Sequence, residues 1–406
     1  MLLTAAVALV ALLVAGEDDE GLWAASRGLF DDLDAHPTDD ALVAAELAIL
    51  DDLDAHPTDD ALAAAERGIL DGARRWLPVS WRRCGAAPER DYVVWARLDV
   101  ANLTRRALRL DAAAAPPPRL LTGVDFLVAS APAAARSPGL ILKTSRCGST
   151  VAGRMLAASG AVALMEPNLV MALLDHGSDA ALGAARAAYA HFAAAAPPGA
   201  PVFLNLWLGS EAAAARALRA FPAARWAFLH REPLAVVRST LRSRPTWLAV
   251  EEEHIARGQG SLRVDEADLA ASPIDARARA VARAVGAAVR NAVAHAAGAR
   301  AGLLVPYERV VPGLAGGFVA THFGLARGAA SVARMLEAAA WDAKNATARF
   351  VAAERPAEPA LEAAALAAAA PLGATAAACA GPGAKRAYCE LLELQRRQDA
   401  ARAGEL

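Results

Sequence analysis

Four apolar runs of five or six residues, Leu140–Thr144, Pro201–Leu206, Trp226–His230 and Gly302–Pro306, punctuate the later part of the chain. They are too short for helices and are bounded by Gly, Pro or polar residues, which is the signature of buried strands. Ala-rich, helix-forming segments separate them, near 151–160, 169–195, 209–220, 233–244 and 274–299. Strands alternating with helices predict an α/β fold with a parallel central sheet flanked by helices on both faces. The pattern before 138 is less regular. Tyr92–Trp95 predicts one short strand, and Ala112–Pro118 and Ala131–Pro138 read as Ala/Pro linkers. The second linker divides a mixed linker region, 76–137, from an α/β core over 138–330. Residues 331–406 read as a helical C-terminal part of that core.

The N-terminal pattern is different again. Residues 1–14, MLLTAAVALVALLV, carry no charged side chain and then meet an acidic stretch from Glu17. The run is shorter than the ~20 residues that cross a bilayer as a helix. It reads as a signal peptide or signal anchor over 1–16, with Val14-Ala15-Gly16 as a small-residue cleavage site, or as an apolar helix that opens the fold. Residues 31–50 and 51–70 then repeat almost perfectly, differing only at Val43/Ala63, Leu47/Arg67 and Ala48/Gly68. Each unit predicts a Pro-Thr-Asp turn and a short helix, so 17–75 reads as a small acidic helical arm. His36 and His56 read as part of solvated helix-start turns rather than as metal ligands.

Composition sharpens this picture in two ways. With 406 residues, 56% hydrophobic, the chain is not disordered, and a net charge of −2 argues against a nucleic-acid partner. About 27% of the chain is Ala, which inflates the hydrophobic fraction without adding large core side chains. Lys143, Lys344 and Lys385 are the only lysines among 42 basic residues. Arg and Ala therefore have to be weighed by position. Cys379 and Cys389 bracket a short Gly/Pro turn and form the most local disulfide candidate, while no Cys/His cluster has zinc spacing. The sequons at Asn102 and Asn345 are compatible with secretion.

The most informative stretch follows the first strand: Lys143-Thr144-Ser145-Arg146-Cys147-Gly148-Ser149-Thr150. Strand, Gly-containing turn and helix start make the layout of a phosphate loop, in which backbone N–H groups and the helix dipole favour an anion. Ser149 and Thr150 add hydroxyl donors, and Arg146 adds a fixed cation. The nucleotide-triphosphatase pattern GxxxxGK[ST] does not fit, because no Lys precedes Ser149.

The loop resembles the one that grips the 5′-phosphosulfate in sulfotransferases, roughly [ST]-x-P-[RK]-[ST]-G-[ST]-[ST]. Ser145 stands where Pro is usual and Cys147 where Ser or Thr is usual. A second element, Arg231-Glu232-Pro233 with Ser239 on the next helix, is similar to the family's 3′-phosphate-binding Arg-Asp-Pro and its following Ser. Tyr307-Glu308 resembles a further family segment and reads as structural, as does His322–Leu325 beyond it. The resemblance spans about 139–325. It implies the P-loop-like sulfotransferase fold and 3′-phosphoadenosine 5′-phosphosulfate (PAPS) as cofactor, with sulfonyl transfer to a hydroxyl or amine of an acceptor it does not identify. It implies cofactor contacts from Ser145, Arg146, Cys147, Gly148, Ser149, Thr150, Arg231 and Ser239, with Arg146 also stabilising the leaving group. A nucleotide-dependent phosphotransferase and a non-catalytic binding protein of this fold are the alternatives. The implied setting is the secretory pathway or Golgi lumen, with membrane association only through the N-terminus; the cytoplasm is the alternative.

A transferase of this kind needs a base. Glu166 follows the apolar run Val162–Met165 and can return to the cleft, as a catalytic Glu does at a comparable point in some sulfotransferases; it equally reads as an exposed helix-start Glu before Pro167. His230 is the second candidate, with a structural or acceptor-side role as its other reading. A strand position can turn Lys143 away from the loop. Asn205 and Trp207 read as lining an acceptor cleft, and the acidic stretch 250–254 as a solvated lid or loop edge.

Overall fold

The structure, a computed structural model, describes residues 59–71, 76–82, 91–97, 108–109, 119–133, 136–207, 213–243, 272–296, 302–325, 328–340, 359–373, 375, 379 and 386–404. The apolar run within 1–16, the repeat up to Thr58 with His36 and His56, both sequons and the stretch 250–254 lie outside these residues. The described residues all belong to one unit, formed by Pro57–Ser243 and Leu262–Leu406. Among the described residues no helix is long and apolar enough to cross a membrane.

The first elements are α1 (Asp59–Asp71), β1 (Trp76–Arg82), β2 (Tyr92–Arg97), β3 (Leu108–Arg109), β4 (Arg119–Gly123) and α2 (Val124–Ala129). Strands β1, β2 and β4 form an antiparallel sheet with β2 in the middle. Sequence pattern alone predicts one strand here, at Tyr92–Trp95. The β1 alternation is disguised by a register shift between Pro78 and Ser80, the kind of irregularity that a Pro within a strand goes with. Trp95 anchors the sheet: it is fully buried, and its indole N–H donates to Thr122 Oγ1 at 2.8 Å. That bond gives a buried donor the partner it needs.

The chain continues through β5 (Gly139–Lys143), α3 (Ser149–Ala158), β6 (Val162–Met165), α4 (Asn168–His176), α5 (Asp179–Ala195), β7 (Val202–Trp207), α6 (Ala213–Ala220), β8 (Arg225–His230), α7 (Pro233–Ser243), α8 (Pro273–Ala296) and β9 (Leu303–Pro306). It closes with α9 (Val310–Leu314), α10 (Phe318–Phe323), α11 (Ala329–Ala340), α12 (Pro359–Ala369) and α13 (Ala387–Gly404). The main sheet has the order β3-β6-β7-β5-β8-β9, and every neighbouring pair is parallel. This is the expected α/β architecture. The apolar run Val162–Met165 proves to be a further strand, and the helical stretch 169–195 is two helices. Gly177, at a φ of 74°, ends α4, and the Ser178 hydroxyl accepts from Ala181 N at 3.2 Å to cap α5.

Strand parity divides the core. Ile141, Phe203, Ala227, Leu229 and Val305 face one side of the sheet and pack with Met155 and Leu156 of α3 and Met335 of α11. Leu140, Leu142 and Phe228, alternating with them, are fully buried on the other side. On that side α13 is tied to the sheet by Gln398, which donates to Gly302 O at 2.7 Å and accepts from Leu304 N at 3.1 Å. Each fully buried Leu or Ile in this centre contributes about 1.5–3 kcal/mol. Cys379 and Cys389 are joined by a disulfide, which fastens the preceding chain to the first turn of α13.

The strand order places a switch point beside β5. From β5 the chain passes through α3 to β6 on one flank, and β8 is reached by crossing to the other. The crevice at the carboxyl ends of β5 and β8 is where open α/β sheets bind ligands.

Candidate anion-binding site

The loop after β5 is held from below. Thr144 N donates to Leu229 O at 3.1 Å, tying the strand end to β8, and the Cys147 thiol donates to Thr144 O at 2.8 Å. Gly148, at a φ of 82°, occupies the N-cap position of α3 in the left-handed region, where glycine is unstrained. No side chain caps this helix start, and its first turn carries no acidic residue. The leading amides of α3 thus point out of the loop beside the hydroxyls of Ser149 and Thr150, an arrangement suited to an anion.

Two non-glycine residues among those described have positive φ: Arg146 at 58° and Glu166 at 49°. A left-handed conformation costs a residue with a β-carbon roughly 1–3 kcal/mol, and such strain concentrates at functional sites. Both belong to the residues singled out from sequence as catalytic candidates.

Lys143 is the residue whose direction sequence leaves open. It shares parity with Ile141 and therefore points under the loop rather than away from it. Its ammonium donates to Ser149 Oγ at 3.2 Å and forms an ion pair with Glu166 Oε1. The side chains are 5% and 29% exposed, so the lysine is buried and the carboxylate reaches the surface. Asn205 completes the underside. Its amide donates to Ser149 O at 3.1 Å, while its backbone O accepts from Glu166 N at 2.9 Å. It is buried beneath the loop instead of lining an open cleft, whereas Trp207 at the strand end is half-buried.

Cys147 also turns inward. Its thiol is fully buried in the α3-side core, and burial pushes its pKa up while the nearby Lys143 charge pulls it part of the way back. Any contact it makes with a ligand in the loop is through its backbone. Ser145 is half-buried and Thr150 is exposed.

At the end of β8 two adjacent residues separate. His230 has the parity of Phe228 and faces α13, against the expectation that it could serve as a base at the cleft. It is fully buried, stacks on Phe228 at 6.2 Å between ring centroids and meets the edge of Tyr388 at 5.9 Å. Burial pushes its pKa down to about 4, opposed in part by Gln395. The imidazole thus lies on the face of the sheet opposite Lys143. Arg231, one residue on, returns to the α3 side, where its guanidinium carbon lies 4.6 Å from the centre of the Tyr307 ring. Ser239 is half-buried on the second turn of α7. Next to it, Arg238 pairs with Glu362 of α12 at 2.5 Å and Arg242 with the same carboxylate at 3.3 Å, fixing α7 in place.

Tyr307, read from sequence as structural, lies against both the loop after β5 and Arg231. A β-carbon placed on Gly148 would come within 3.0 Å of Tyr307 Cδ2, so the ring packs directly on the loop while its other contact is Arg231. The available signal was its place just after β9, the strand next to β8. Burial, reinforced by the nearby carboxylates of Glu232 and Glu308, raises the pKa of Tyr388 of α13 well above the ordinary phenol value. Among the described residues no group of three or more His, Cys, Asp or Glu side chains could hold a metal ion.

No protein-family model matches the chain, and no curated protein matches it. Among solved structures, it is similar to the crystal structure of sulfotransferase STF9 from Mycobacterium avium, at 13% identity and a TM-score of 0.36, over 52% of this chain and 69% of that one. A likeness so distant leaves the function to be argued from the residues of the site itself.

Proposed function

We propose that this chain is a sulfotransferase that uses 3′-phosphoadenosine 5′-phosphosulfate and passes the sulfonyl group to a hydroxyl or amine of an acceptor. The observation that carries this reading is the pairing of two anion elements on adjacent strands. The loop after β5 and Arg231 after β8 flank one switch-point crevice, and Tyr307 touches both. The motif resemblance supports the same reading.

The residues fit the cofactor. The left-handed Gly148, the uncapped start of α3 and the hydroxyls of Ser149 and Thr150 suit its 5′ end, and Arg231 with Ser239 suits the 3′-phosphate that ATP lacks. Bound there, it would supply an activated sulfonyl group. Arg146 and the α3 amides would stabilise the negative charge that grows on the departing phosphate oxygen, usually the largest single contribution to such a reaction. Glu166 would take the acceptor proton as the acceptor atom bonds to sulfur, a reading supported by its left-handed backbone and its ion pair with Lys143. The apolar leader and the Cys379–Cys389 disulfide support an oxidising compartment of the secretory pathway.

Titration calorimetry with 3′,5′-adenosine bisphosphate and with AMP tests the reading. A preference of at least about tenfold for the bisphosphate is expected, since a charge-assisted phosphate contact contributes about 1.5–3 kcal/mol. Equal affinities would sink it.

A further inference from the structure

A carboxylate is an unfavourable neighbour for an anion-binding loop, because its charge repels whatever the loop holds. Glu166 is such a neighbour, fixed by the bond from its backbone N to Asn205 O at 2.9 Å. Lys143 stands between it and the loop, touching the Glu166 carboxylate and donating to Ser149 Oγ at 3.2 Å from a side chain only 5% exposed. We infer that Lys143 is the counter-ion that allows the Glu166 carboxylate to stand charged beside the bound anion, and is thereby a positioning residue for the transfer. The inference rests on the reading of the site given above and deepens it.

Lys143 is the buried cation in direct contact with the Glu166 carboxylate. Within the loop the neighbouring charged and titratable groups are Arg146 and the Cys147 thiol. Strands β6 and β7 carry no charged side chain, and α3 carries only Arg154, on its second turn. Helix α4 carries Asp175 and His176 at its far end, and Arg109 of β3 is the register neighbour of Met165. Paired, Lys143 and Glu166 sum to zero, so the cation of Arg146 and the α3 amides set the sign of the loop. With Lys143 gone, Glu166 presents a bare negative charge to the same ligand. With both gone, the repulsion disappears again.

That reversal is the test, because a merely structural lysine would not produce it. The full chain is prepared as wild type, Lys143→Met, Glu166→Gln and the double variant, and each is titrated with 3′,5′-adenosine bisphosphate. Lys143→Met should bind at least about tenfold more weakly. The double variant should return to within about threefold of wild type, a strong non-additivity. A double variant as weak as, or weaker than, Lys143→Met overturns the inference. Should Lys143→Met not fold, Lys143→Gln is read in the same way. A second readout needs no ligand: carbon-13 NMR titration of the Glu166 carboxyl in the free protein. Its midpoint should lie about one pH unit or more higher in the lysine variant, and an unmoved midpoint overturns the counter-ion role. If wild type shows no preference for the bisphosphate over AMP, the sulfotransferase reading fails by itself, and the NMR titration alone decides the role of Lys143.

Discussion

Lys143 and His230 occupy matching places on opposite faces of one sheet. Each is the last residue of a parallel strand, each is almost fully buried, and each adjoins one of the two proposed anion elements in sequence. Lys143 points toward α3, finds a carboxylate and a hydroxyl, and stays in the site. His230 points toward α13, lies among Phe228, Tyr388 and Gln395, and is held neutral with a pKa of about 4. Parity along the strand, rather than nearness to a motif, decides which buried polar residue faces the candidate site. Burial costs a charge heavily unless a partner compensates: Lys143 has the Glu166 carboxylate, whereas Gln395 offsets the burial of His230 only in part.

The largest effect that could break this comparison is on turnover. Arg146→Ala should lower the rate of sulfonyl transfer by about 10²–10³-fold, the usual cost of removing one preorganised donor to developing charge. His230→Gln should leave the rate at pH 7 within about threefold. A steady-state assay with radiolabelled sulfonyl donor and an acceptor found by screening checks both, and an intact rate in Arg146→Ala would contradict the role given to that residue.

The next effect is on stability, and its sign follows from burial. The folded protein holds His230 neutral down to a pKa of about 4, whereas the unfolded chain takes up the proton near pH 6.5. The unfolded state therefore binds more protons between these values, and stability falls as pH drops from about 6.5 towards 4. The full contribution is about 3 kcal/mol. Urea unfolding at pH 7 and pH 4.5 should show most of this loss in wild type and little of it in His230→Gln, after other carboxylate effects common to both cancel. An equal loss in both proteins would mean that the imidazole is not held neutral by the fold.

A smaller effect should attend Tyr307→Leu. The substitution keeps bulk against Gly148 but removes the aromatic face under Arg231, a contact of about 0.5–2 kcal/mol. Affinity for 3′,5′-adenosine bisphosphate should fall by about three- to tenfold, with AMP affinity changing less. A uniform loss for both ligands would show that Tyr307 supports the loop alone.

Much of the fold can be read from the chain because the core strands are apolar runs set apart by Ala-rich helices. Leu140–Thr144, Pro201–Leu206, Trp226–His230 and Gly302–Pro306 all correspond to strands within a residue or so. Val162–Met165 was harder, since four apolar residues between two helices fit either state until β7 pairs with them. The β1 and β4 strands were hidden for another reason: a register shift at Pro78 and flanking Ala/Pro stretches obscure the alternation. The site shows the same split. Arg146, Gly148, Ser149 and Arg231 stand out in the sequence as candidates, because those residue types stand at strand ends and helix starts. The direction of Lys143, the inward turn of Cys147 and His230, and the place of Asn205 beneath Ser149 depend on strand register, which only pairing between distant segments sets. Tyr307 needed the approach of β9 to β8 before its contact with both Gly148 and Arg231 could be seen.

The adjacent pair His230 and Arg231 offers the most direct single measurement. The ratio of affinities for 3′,5′-adenosine bisphosphate and AMP should be at least about tenfold in wild type, persist in His230→Gln and collapse towards one in Arg231→Ala. A ratio near one in wild type, or one that survives the loss of Arg231, would contradict a 3′-phosphate site at the end of β8.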